Sequence, residues 1–326
     1  MSGGHDGPRS RHRALIYDDA PQFMSNVGAF LRDGVRDRDR MLAAVTPEKA
    51  GWLREDLGDD AGAIDFADSA ALYERHGPML TAVIDYLARH SAPSQNRVRV
   101  VAEQPPATRS PADTRAYMRY EAASNVAYGR YAASVLCPYD ARRLPADVIE
   151  DALRTHPEVY EADGPRPSDA FADPRDFIRE RQRVEAAPPG APVHELDRPE
   201  DVAIARRRAG EYAQAAGLPQ LTCEDLTVAV SEVATNALLH GRAPRCMWIY
   251  VREDALVCHI HDSGPGPSDP LIGYLPADIG AHEGHGLWLA HHFCDIVEIA
   301  ADRSGTHVYL RMGVPVASVR DPTSRR

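Results

Sequence analysis

Five short apolar runs in the first half of the chain, "RALIYD", "MLAAVT", "AIDFAD", "RVRVVAEQ" and "SVLCPYD", are each followed by an amphipathic segment. The runs read as strands. Between them, "QFMSNVGAFLRDGV" places Phe23, Val27, Phe30 and Leu31 on one helical face, and "PEKAGWLREDLG" opens with Pro47 and closes at Gly58. "SAALYERHGPMLTAVIDYLARH" is expected to be helical with a break at Pro78. "PADTRAYMRYEAASNVAYGRYAA" and "PADVIEDALRTH" supply two further helices. Parallel neighbours need a crossover, usually a helix. The alternation therefore predicts one α/β domain with a parallel sheet over residues 12–160.

The pattern then changes. Residues 161–192 hold Pro165, Pro167, Pro174, Pro188, Pro189 and Pro192 among many charges, and read as a linker with one short helix at "FIRERQRVE". A second domain is expected over residues 193–315. There "VHELDR" is a strand, "PEDVAIARRRAGEYAQAAG" and "LTCEDLTVAVSEVATNALLHG" are helices, and "RCMWIYVRED" and "ALVCHIHDSG" are two strands joined by a turn. A helix, "HGLWLAHHFCD", and strands "IVEIAAD" and "THVYLRM" complete an α+β unit. Residues 1–11 are expected to be a disordered tail and 316–326 a polar one.

Composition narrows the partners. A formal net charge of −11 disfavours nucleic acid and anionic lipid and mildly favours a basic protein. Lys49 is the sole lysine, so arginine carries the remaining positive charge. The five cysteines include no C-x-x-C pair, which reads as reduced thiols and a cytoplasmic chain. No run approaches the roughly 18 apolar residues that span a bilayer. No G-x-x-x-x-G-K-S/T occurs, so a P-loop is disfavoured.

Four pieces of the second half carry chemistry. In "SEVATNALLHG", Glu232 and Asn236 are four apart and share a helix face. In "HDSGPG", Asp262 ends a strand before Gly264 and Gly266. In "EGHGLWLA", Gly284 and Gly286 open a helix whose amides suit phosphate. In "SGTHVYL", Thr306 follows Gly305. Each piece alone has an ordinary structural reading. In this order they resemble the N, G1 and G2 boxes and terminal G-T of the GHKL ATPases, which include histidine kinases, gyrase and MutL. With the arginine-rich "ARRRAGEYAQAAGL" ahead of them, residues 193–312 look like the RsbW branch, the anti-sigma-factor serine kinases.

The resemblance implies a Bergerat-type α/β sandwich that binds ATP and Mg²⁺. It makes Asn236 the Mg²⁺ ligand, Glu232 the general base toward a substrate serine, and Asp262 the acceptor of the adenine amino group. Gly264, Gly266, Gly284 and Gly286 would let the lid backbone fold over the phosphates, and Thr306 would support the adenine pocket. It also implies a sigma factor and an STAS-domain anti-anti-sigma protein as partners, and homodimerisation. Two rival readings stand beside this one: a nucleotide-gated anti-sigma module with weak catalysis, and a histidine kinase-like signalling protein.

One departure favours the weaker enzyme. The lid "PSDPLIGYLPADIGAHE" has no Arg or Lys, only His282 and the neighbouring His285, with Arg242 and Arg245 in the loop after the N-box helix. "VHELDRPED" imitates a phosphoacceptor H-box at His194. Yet 42 residues before Asn236 leave no room for a phosphoacceptor hairpin, so His194 is expected in a strand. The histidines His259, His261, His282, His285, His291 and His292 do not form H-E-x-x-H.

The first half resembles the MEDS sensory domain through "HRALIYDD", "RYE" and "VLCPYD" followed by "RTHP". That family looks like a RecA/KaiC-type sheet that has lost its nucleotide loop, and it implies an unknown signal ligand. His12, Cys137 and His156 are sensory candidates, with Glu103, Tyr120 and Glu121 near them. All are expected near strand ends, where open α/β sheets bind ligands. Ordinary polar capping is the alternative.

Overall fold

The computed structural model describes residues 10–72, 75–91, 97–103, 110–275 and 285–315. The chain divides into two compact units, residues 1–74 with 78–177, and residues 75–77 with 178–326. The tail over residues 1–9, the polar tail from 316, and Gly284 with His282 lie outside the described residues. Among the described residues, no helix is long and apolar enough to cross a membrane.

The first unit runs β1 (Arg11–Tyr17), α1 (Ala20–Asp37), β2 (Arg40–Val45), α2 (Pro47–Leu57), β3 (Ile64–Asp68), α3 (Ser69–Leu72), α4 (His76–His90), β4 (Val98–Ala102), α5 (Pro111–Tyr128), β5 (Ala133–Asp140), α6 (Ala146–Thr155), β6 (Glu158–Glu161) and β7 (Gly164–Pro167). Its sheet has the order β3-β2-β4-β5-β1-β6-β7. Neighbours are parallel throughout except the β6–β7 hairpin. The sheet is therefore mixed and mostly parallel.

Local sequence explains the helices. The Asp19 side chain accepts from the Gln22 amide at the start of α1, and Thr46 accepts from the Lys49 amide at the start of α2. Phe23, Val27, Phe30 and Leu31 line the buried face of α1 and pack on Leu15, Met41, Val101 and Leu136 of the sheet.

The hairpin corrects the linker reading. Residues 161–167 are sheet, not linker. Pro165 and Pro167 are tolerated because β7 is the edge strand, where a missing amide proton costs little.

α7 (Pro174–Glu180) follows. The second unit continues with β8 (Val193–Glu195), α8 (Pro199–Ala215), α9 (Gln220–His240), β9 (Arg245–Arg252), β10 (Ala255–Asp262), α10 (His285–Phe293), β11 (Ile296–Asp302) and β12 (Gly305–Gly313). Its sheet, in the order β11-β12-β10-β9-β8, is antiparallel. Alternation sorts the faces. Met247, Ile249, Leu256, Cys258, Ile260, Val308, Leu310 and Met312 join one core with residues of α8, α9 and α10. Tyr250, Val257 and Tyr309 form a second cluster on the opposite face.

That opposite face is covered by the chain before β8. Ala187 and Ala191 pack against the Tyr250, Val257 and Tyr309 cluster. The Glu185 amide donates to the Tyr309 hydroxyl at 2.8 Å, and that hydroxyl donates to the Glu185 carbonyl at 2.9 Å. The Glu185 carboxylate accepts from Arg252 at 2.8 Å and Arg311 at 3.0 Å. Residues 185–191, expected as free linker, are thus a strap on the sheet. Aromatic residues on this face need cover, and the buried Arg311 guanidinium needs a carboxylate, which the half-buried Arg252 shares.

Candidate functional site

α9 carries the central pair. Glu232 and Asn236 are both half-buried and one turn apart. α10 packs across them at Gly286, where a Cβ would lie 2.5 Å from Glu232 Oε2 and 3.4 Å from Asn236 Nδ2. A side chain at this position would push Glu232 aside, so glycine lets the start of α10 lie against the pair. The structure so brings Glu232, Asn236 and Gly286 together.

Asp262 ends β10 and is buried. Its Oδ1 accepts from the Gly264 amide at 2.7 Å and the Arg242 amide at 3.2 Å. Both bonds fall on the same carboxylate oxygen. Thr306 pairs in register with Asp262 across β10 and β12. Its hydroxyl donates to the Gly264 carbonyl at 3.1 Å and pins the turn. Gly266 has φ +75, and a Cβ there would sit 3.4 Å from Thr306 Oγ1. Gly305, at φ +137, passes so close to the Asp262 carbonyl that any Cβ would collide with it. Asp262, Gly264, Gly266 and Thr306 form a second constellation, made by adjacent strands and their turn.

The cations are placed less usefully. Arg245 donates to the Ala237 carbonyl at 2.8 Å and the Gly241 carbonyl at 3.2 Å. The Ala237 carbonyl also accepts from the Gly241 amide at 3.1 Å, so Arg245 adds to the capping at the end of α9. Arg242 and His285 are exposed.

His194 lies in β8, opposite Met247 of β9. Burial, then the charge of Arg208, lowers its pKa, so the ring is neutral at pH 7. Its buried Nε2 has no hydrogen-bond partner among the described residues. We expect His194→Gln to leave nucleotide binding and any phosphoryl transfer unchanged. Its stability cost should stay below about 1 kcal/mol. An acid-labile phosphate on this chain that the variant loses would contradict this.

The sensory candidates of the first unit separate into two places. Glu103 pairs with Lys49, which also donates to the Tyr17 hydroxyl at 2.7 Å, and Glu103 accepts from the Thr46 amide at 3.0 Å. The sole lysine thus neutralises a buried carboxylate. His12, Glu121, Cys137 and His156 converge elsewhere. Cys137 sits mid-strand in β5 and Glu121 within α5, not at strand ends as expected. Tyr120 is buried on α5, and its carbonyl accepts from Ser124 at 2.9 Å.

The chain thus holds an open α/β unit and an antiparallel sheet whose flanking helix α9 presents a carboxylate and an amide beside a glycine-bounded turn. Comparison with known families agrees. Residues 11–157 match the MEthanogen/methylotroph, DcmR Sensory domain (MEDS), and residues 196–312 match the Histidine kinase-like ATPase domain. The chain therefore joins a MEDS sensory domain to a histidine kinase-like ATPase domain. No curated protein matched the chain.

Proposed function

We propose that the chain is a sensory regulator of a sigma factor in a partner-switching circuit, acting as an ATP-binding anti-sigma factor and serine kinase of an STAS-domain protein. The observation that carries this reading is the α9 face, where Glu232 and Asn236 lie one turn apart beneath Gly286. The arrangement fits a nucleotide. Glycine at 264, 266 and 286 lets Asp262, Thr306, Glu232 and Asn236 pack tightly against the turn and the start of α10, and the Gly264 and Arg242 amides hold Asp262 at the strand end.

In this reading Asn236 holds Mg²⁺, whose charge screens the phosphates. Glu232 takes the proton from the serine hydroxyl. Asp262 would read the adenine amino group, and Thr306 holds the turn in place. Nucleotide binding alters the surface offered to the sigma factor, so partner choice is linked to ATP.

Arg245 favours a second reading, a nucleotide-gated anti-sigma module with weak catalysis. Its guanidinium is committed to carbonyls at the end of α9 and does not serve a γ-phosphate. Phosphoryl transfer depends on such charge. Labelled ATP, with and without an STAS protein, separates the readings. Label on the partner supports the kinase, and binding without transfer supports the module. Glu232→Gln is expected to spare ATP affinity and slow transfer by about 10²–10⁴-fold. Transfer at the parental rate would remove Glu232 as the base.

A further inference from the structure

The MEDS domain buries four potential ligand groups in one place. His12 stands on β1, Cys137 on the adjacent β5, Glu121 on α5 and His156 directly after α6. Their relative exposures are 2%, 2%, 4% and 0%, and one ligand atom from each lies within 4.8 Å of all the others.

Hydrogen bonds fix both imidazoles. The Asn125 amide nitrogen donates to the carbonyls of Thr155 at 2.7 Å and Ala122 at 3.1 Å. Its oxygen must therefore face His12 Nδ1, 3.1 Å away, and that nitrogen carries a proton. His156 Nδ1 lies 2.8 Å from the Ala152 carbonyl, so it too is the donor. A neutral ring with Nδ1 protonated presents a lone pair at Nε2. Both Nε2 atoms point inward. His12 Nε2 is 3.4 Å from Glu121 Oε2 and 3.3 Å from Cys137 Sγ, and His156 Nε2 is 3.5 Å from the same carboxylate oxygen. His156 Nε2 is fully buried and makes no hydrogen bond among the described residues.

We propose that His12, Glu121, Cys137 and His156 form a closed mononuclear site for a zinc-class divalent metal ion. Zinc bonds of about 2.0–2.3 Å in a tetrahedron place neighbouring ligand atoms about 3.3–3.6 Å apart. Three separations, 3.3, 3.4 and 3.5 Å, fall in that range, while the thiol–carboxylate distance of 4.0 Å and the remaining pairs, which lie within 4.8 Å, must close by up to about 1 Å on metal binding. Charge points the same way. A thiolate and a carboxylate cancel a dication, so the filled site is neutral where a net charge would be costly. Each imidazole donates its other nitrogen to a carbonyl oxygen, as metal-bound histidines do.

Without a metal, the same groups fit poorly. A proton on His12 Nε2 satisfies the carboxylate but leaves the His156 lone pair buried and unmet. Protonating His156 is opposed by burial, then by His12, which push its pKa down to about 3. Burial, then the Glu121 charge, raises the Cys137 thiol well above its ordinary value. Metal binding would release that thiol proton to solvent.

The test is tag-free full chain grown in zinc- or cobalt-supplemented minimal medium, desalted, and assayed for metal. The expected result is about one zinc or cobalt per chain, since the site is closed. The cobalt form should show a thiolate-to-cobalt charge-transfer band and intense tetrahedral visible bands. Mg²⁺ at a nucleotide site gives neither. His156→Gln should lower occupancy at least about tenfold. Because that variant is at risk of misfolding, Cys137→Ser provides the second arm, and should abolish the charge-transfer band. A folded chain, by circular dichroism, that holds no zinc or cobalt above buffer overturns the proposal. A cobalt spectrum unchanged by Cys137→Ser overturns it as well.

Discussion

Asn236→Ala should cost the full chain at least about tenfold in Mg²⁺-dependent ATP affinity, with the helical circular dichroism unchanged. The side chain projects from the C-terminal part of α9, and its Nδ2 is close to the start of α10. It is half-buried, and alanine is a better helix former, so the fold has little to lose. The loss falls on the ligand. An interaction with a charged group is worth about 1.5–3 kcal/mol, which converts to roughly 10–150-fold in affinity. Calorimetry with and without Mg²⁺ gives the answer. Equal affinity in parent and variant would withdraw Asn236 from the site, and with it the argument from the α9 face.

Arg311→Met should destabilise the ATPase domain by about 3–5 kcal/mol, the usual cost of breaking a buried pair from one side. Arg311 donates to Glu185 at 3.0 Å and lies 3.3 Å from Glu298, whose side chain is 3% exposed. Methionine keeps much of the volume and removes the charge, so Glu298 keeps its burial and loses this countercharge. Urea unfolding of the full chain measures the effect, and Arg311→Met combined with Glu298→Gln should recover part of it. A loss below about 1 kcal/mol would show the cluster to be solvated. The pH dependence has a defined sign. Burial would raise the Glu185 carboxyl, but the Arg311 hydrogen bond and charge, then those of Arg252, outweigh it and hold the pKa below the usual value. A depressed folded pKa means that this stabilisation is present above the unfolded pKa of about 4.3 and fades as pH falls through the folded one.

What was legible in the sequence was whatever local spacing encodes. Phe23, Val27, Phe30 and Leu31 repeat at helical intervals, and α1 buries them. Glu232 and Asn236 are four apart, so any helix there puts them together. Asp262 and Thr306 were found through motif order, and the sheet sets them opposite each other. The rest depended on pairings over long separations. Glu185 meets Arg252 and Arg311, 67 and 126 residues away, and no periodicity marks it. The β6–β7 hairpin was hidden because Pro165 and Pro167 read as linker, although an edge strand admits them. Cys137 is buried mid-strand among apolar neighbours, and its link to His12 spans 125 residues. The tautomers that aim two imidazoles at it depend on Asn125 and Ala152, which carry no motif.

The strap of residues 185–191 separates what is inherited as a module from what folds as one. The ATPase family match begins at residue 196, but the outer face of its sheet is completed by Glu185, Ala187 and Ala191. A fragment cut at Val193 would keep every motif and still leave Tyr250, Val257 and Tyr309 wet and Arg311 short of one carboxylate. The workable excision point lies upstream of Glu185.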